Sequence, residues 1–118
     1  MAATAQQNTN TLTYQDVIAQ VNAGEMTLLD VRDHNEVTKS GKAKDAIHIP
    51  LTQLAYKADP NHPEFHNNLY TNKPVAVYCA AGGRAGMAVN MLNQLGYEMT
   101  VNIGGLSHWV QAGGPVEK

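Results

Sequence analysis

Two short runs of apolar residues with no polar alternation constrain this chain more than anything else in it. They are residues 26–31 (MTLLDV) and 75–79 (VAVYC). A strand that is apolar on both faces belongs to a parallel sheet covered by helices on each side. The segments between such strands must then supply crossovers, and two of them carry a helical period. Tyr14, Val17, Ile18 and Val21 fall at i, i+3, i+4 and i+7, behind Thr13 and Asp16 as a start signal and ahead of Gly24 as a stop. Ala85, Ala88, Leu92 and Leu95 line one side of a second helix over 84–95, ended by Gly96. Strands alternating with helices predict an α/β domain with a mostly parallel sheet and helices on both faces.

The rest of the chain fills in that plan. Residues 46–49 form a short strand stopped by Pro50, and 99–103 form the last one. Gly104 and Gly105 turn the chain into a closing helix over 106–112 that carries Trp109. Residues 32–45 are polar and read as a loop with a helical turn near 35–38. The weak pattern of 51–72 allows turns of helix at 52–57 and 63–69. Residues 1–12 are small and polar and read as a flexible tail, leaving 13–118 as the domain. The 118 residues fit a single domain, and 43% hydrophobic against 15% charged residues suffices for a core.

Charge and cysteine content exclude several classes of function. Eight Lys and Arg against ten Asp and Glu give a net charge of −2, without the basic excess of a nucleic-acid binder. No apolar run approaches the roughly 20 residues that cross a bilayer. A single cysteine rules out an intrachain disulfide framework and a Cys-rich zinc module. A lone reduced thiol and the missing signal-peptide pattern fit the cytoplasm, or the periplasm if an export signal has been removed.

That one thiol, Cys79, stands where the chemistry concentrates. A buried strand ends on it, small residues Ala80, Ala81, Gly82 and Gly83 follow, and Arg84 opens a helix. A strand entering a helix through such a loop gathers backbone N–H groups around one point, and the helix N-terminus adds partial positive charge. Arg84 would add a full charge. Three sources would therefore stabilise a thiolate on Cys79 and hold an anion beside it. Gly82 and Gly83 leave room for that anion and permit positive φ. The plain alternative is an inert core cysteine above an ordinary glycine turn. The carboxyl edge of an open α/β sheet, where ligands bind, favours the functional reading.

Four segments resemble the rhodanese family of sulfurtransferases in its single-domain form. They are Leu29-Asp30-Val31-Arg32, the stretch 41–50 (GKAKDAIHIP), the loop from Cys79 to Arg84, and Gly104-Gly105 with Trp109, Gly113 and Pro115. The resemblance implies a five-stranded parallel sheet and a cysteine that cycles through a persulfide, with no cofactor and no metal. It implies an anionic sulfur donor such as thiosulfate, held by the amides of Ala80, Ala81, Gly82, Gly83 and Arg84. The acceptor would be cyanide, a small thiol or a protein thiol. Asp30 and Arg32 would support the site, or else pair with each other and fix nearby loops. Lys42 and Lys44 would add charge at the mouth or lie in a solvated loop.

Three other functions compete. Cysteine phosphatases also use a thiolate in an arginine-closed loop, but with five residues between Cys and Arg, and only four separate Cys79 from Arg84. A rhodanese-like module could instead relay sulfur to, or bind, one protein with little turnover of its own. His62 and His66, spaced i and i+4, would share a metal ion if they sat on a helix, although no third ligand is evident.

Overall fold

The computed structural model describes residues 12–118, so all of the expected tail except Leu12 lies outside the described residues. Thr13 caps α1 (Tyr14–Asn22) through reciprocal bonds: its hydroxyl accepts the Asp16 N–H, and its own N–H donates to the Asp16 carboxylate, both at 3.0 Å. The chain then runs through β1 (Thr27–Asp30), α2 (His34–Ser40), β2 (Lys42–Ala43) and β3 (Ile47–His48). Pro50 ends β3 and precedes α3 (Leu51–Lys57). After a stretch of turns come β4 (Val75–Cys79), α4 (Gly83–Gln94), β5 (Thr100–Gly105), α5 (Leu106–Gln111) and β6 (Val116–Glu117).

The main sheet is parallel with strand order β3-β1-β4-β5. Among the described residues it has four strands, where the family resemblance implied five. The remaining two, β2 and β6, pair antiparallel as a separate ribbon. They are two residues each, too short to extend the sheet, and Lys42 pairs with Glu117 across them. Lys42 is therefore committed to the ribbon, and Lys44 lies exposed beside it.

Alternation along β4 sorts the core into two layers. Val75, Val77 and Cys79 face Leu54 of α3 and Ala85, Ala88 and Leu92 of α4. Ala76 and Tyr78 face Val17 and Val21 of α1 and Trp109 of α5. Helices thus cover both faces, as the apolar runs required. Each fully buried Leu, Ile or Val contributes about 1.5–3 kcal/mol relative to exposure, and such residues dominate the layer shared with α3 and α4. Two expectations fail. Residues 34–40 form a full helix where a loop with one turn was expected. Residues 63–69 form successive turns and no helix.

Candidate active site

Cys79 is the last residue of β4, on the layer shared with α3 and α4, and is 1% exposed. Above it the chain turns sharply. Gly82 has φ +109°, a left-handed conformation that side chains resist, and α4 begins at the next residue. That turn points amides back at the sulfur. The Gly82 N–H donates to Sγ at 2.9 Å and the Ala85 N–H at 3.4 Å. The first intrahelical bond of α4 runs from the Gly86 N–H to the Gly82 carbonyl, so the amides of Gly83 and Arg84 precede the hydrogen-bonded ladder. Ala80, Ala81 and Gly83 are exposed on the crest of the loop. Of the amides expected around the sulfur, from Ala80 to Arg84, Gly82 donates to it, and the second donor is Ala85, outside that set.

Two residues of β5 hold this loop, Asn102, which the sequence pattern did not mark, and Gly105. The Asn102 amide donates to the Gly82 carbonyl at 3.0 Å and accepts the Gly104 N–H at 2.8 Å. Gly105 lies directly against Ala80, and a Cβ there would run into the Ala80 carbonyl. The β4–β5 register shifts between Val77 and Cys79, placing Cys79 opposite Gly105. Gly104 and Gly105, expected to form a turn, are the last two residues of β5, and the close approach of Gly105 to the loop depends on that register.

Arg84 does not stand alone over the thiol. Its guanidinium forks onto Glu36 of α2, Nη1 to Oε1 at 2.7 Å and Nη2 to Oε2 at 2.9 Å. The hydrogen bonds from Arg84 hold the Glu36 carboxyl down to about 2, and the same pairing raises the Arg84 value further. The full charge expected beside Cys79 is thus largely neutralised.

Asp30 and Arg32 form a buried pair behind the loop. Arg32 Nη2 donates to Asp30 Oδ2 at 2.8 Å, and Nε reaches both carboxylate oxygens at 3.1 Å. The guanidinium also donates to the Gly41 carbonyl at 2.7 Å and the Ser40 hydroxyl at 2.8 Å. The Tyr78 hydroxyl donates to Asp30 at 2.6 Å and accepts the Ala43 N–H at 2.9 Å. Burial, then the bond to Asp30, raises the Tyr78 phenol well above its ordinary value. Burial opposes the Arg32 charge, but Asp30 outweighs it and the Arg32 value rises. The His48 Nε2–H donates to the Arg32 carbonyl at 2.7 Å. This network fastens the chain after β1 to the start of β2, the loop-fixing role offered as the alternative for Asp30 and Arg32.

His62 and His66 lie among turns, where the i, i+4 spacing does not bring them onto one helical face. Each Nδ1 accepts a local backbone N–H, from Glu64 and Asn68 respectively. No helix among the described residues is long and apolar enough to cross a membrane.

The model of the rhodanese-like domain matches residues 13–112. The chain belongs to the rhodanese-like family. A mouse thiosulfate sulfurtransferase/rhodanese-like domain-containing protein is 28% identical over 105 residues, 84% of this chain and 67% of that one. A rhodanese-related protein of Thermoplasma volcanium superposes with a TM-score of 0.68 at 31% identity, covering 92% of this chain and 98% of that one. A protein of unknown function from Rhodopseudomonas palustris, named a possible tyrosine phosphatase, superposes with a TM-score of 0.76 at 30% identity. That match covers 91% of this chain and 83% of the other. The chain spans between 44% and 78% of the length of the curated relatives it matches. Relatives that carry the sulfurtransferase name make this rhodanese-like family one of sulfur transfer.

Proposed function

We propose that this rhodanese-like chain transfers sulfane sulfur through a persulfide on Cys79. In the first half-reaction the Cys79 thiolate attacks the outer sulfur of a donor such as thiosulfate. A new S–S bond forms, the old one breaks, and sulfite leaves with the electron pair. In the second, cyanide or a thiolate attacks the outer sulfur of the persulfide, and Cys79 departs as thiolate. Two half-reactions sharing one enzyme form predict ping-pong kinetics. The observation that carries the reading is the pair of amides aimed at the Cys79 sulfur, from Gly82 at 2.9 Å and Ala85 at 3.4 Å. Donors fixed before reaction favour negative charge on sulfur without reorganising during the step.

The deciding measurement is intact mass after incubation with thiosulfate. One added sulfur atom, removed by cyanide or dithiothreitol and absent from Cys79→Ala, is expected. Sulfur transfer retained by a folded Cys79→Ala variant would end the assignment. A second reading, a sulfur-relay module with little turnover of its own, draws on two observations. Cys79 is 1% exposed, and the loop's only side-chain cation is engaged by Glu36. For that reading the purified chain takes up one sulfur atom yet turns over thiosulfate and cyanide slowly. Phosphatase activity gains nothing from the four-residue spacing or from an arginine held by Glu36.

A further inference from the structure

The active loop contributes one charged side chain, Arg84, and α2 contributes the group that cancels it. Glu36 meets Arg84 with both carboxylate oxygens, and the two side chains remain 34% and 30% exposed, so the pair lies at the surface. Glu36 Oε1 also accepts the Asp33 N–H at 2.9 Å, which fixes the carboxylate from its own helix. The other loop residues are alanine and glycine, and Lys42 is paired with Glu117. To an approaching ligand, a paired guanidinium and carboxylate act as a dipole, whose field falls off faster than that of a free cation.

We propose that Glu36 is a specificity-determining residue of the Cys79 site: by pairing with Arg84 it withholds the charge a dianionic donor would use and biases the loop towards neutral or weakly charged sulfur donors, such as organic persulfides. Glu36 acts through Arg84 and is a positioning residue. The hydrogen bonds from Arg84 lower the Glu36 carboxyl value, so Glu36 carries its negative charge beside Arg84 at neutral pH. The inference rests on the proposed function for the nature of the donor, while the charge discrimination itself can be read without sulfur transfer.

Cys79 is the sole cysteine, so alkylation reports on this site alone. Iodoacetate and iodoacetamide react alike, the thiolate forming an S–C bond as iodide leaves with the electron pair, and differ chiefly in charge. Their rate ratio therefore measures how the mouth treats an anion. Glu36→Gln keeps an acceptor for the Asp33 N–H, so α2 retains its start. In that variant the iodoacetate:iodoacetamide ratio should rise about threefold to tenfold at low salt, and the gain should shrink at high salt. Arg84→Ala should lower the ratio, because Glu36 is then an unpaired anion. The double variant should return near the wild-type ratio. An unchanged ratio in Glu36→Gln, or a double variant whose ratio stays as high as that of Glu36→Gln, overturns the proposal. If the buried thiol reacts with neither reagent, the rise in Tm caused by thiosulfate is read instead. A larger rise in Glu36→Gln than in wild type supports the proposal, and an equal rise refutes it. Failure of persulfide formation with an altered ratio would refute the sulfur-transfer reading alone.

Discussion

Arg32 and Arg84 make the same chemical bond in opposite settings. Each presents its guanidinium to a carboxylate at 2.7–2.9 Å, Arg32 to Asp30 and Arg84 to Glu36. The Arg32–Asp30 pair has side chains 5% and 0% exposed, while those of Arg84 and Glu36 are about one third exposed. Burial makes every partner obligatory: Arg32 also holds Ser40 and Gly41, and Asp30 also accepts from Tyr78. The surface pair can open to water at little cost. One arginine therefore locks the chain behind the loop, and the other is an adjustable charge in front of it.

Breaking the buried pair should give the largest effect. Asp30→Asn leaves the Arg32 charge without a counter-ion in the core and should cost about 3–5 kcal/mol in urea unfolding. A loss under about 1 kcal/mol would show that this pair, too, is as loose as a surface one. Arg84→Ala sharpens the contrast from the other side. Its unfolding free energy should change by no more than about 1 kcal/mol, while its use of thiosulfate falls. Equal stability losses from the two substitutions would erase the distinction between lock and adjustable charge.

The smallest expected effect is the acid response of the surface pair. The Glu36 carboxyl is lowered from 4.5 to about 2 by its hydrogen bonds from Arg84. The stabilisation it brings is complete above its unfolded value and is lost as pH falls from about 4.5 towards 2. The gap in Tm between wild type and Glu36→Gln should therefore close across that window. A gap that stays constant down to pH 2 would mean that the charge of Glu36 adds nothing to the pair.

How much of this was legible varies with the kind of signal. The apolar runs of β1 and β4 and the period of α1 and α4 announced themselves, because burial on a sheet or a helix face imposes a pattern along the chain. Helix α2 did not, since none of its residues is buried and a helix polar on all sides has no hydrophobic period. Its Asp33…Glu36 start signal was the clue that went unread. Strands β2 and β6, two residues each, are shorter than any periodicity can report.

The sequence by itself determined the α/β class, the place of Cys79 at the end of a buried strand, and the glycine turn that aims amides at its sulfur. All of these are local: they depend on residue type and on spacings within one element and its flanks. Tertiary structure alone decided that Glu36 reaches Arg84 across 48 residues, that Asn102 holds the Gly82 carbonyl from β5, and that Asp30, Arg32 and Tyr78 close a buried network. Whether a charge is free or cancelled depends on which side chain stands within about 3 Å of it, and for groups far apart in sequence only the folded chain sets that distance.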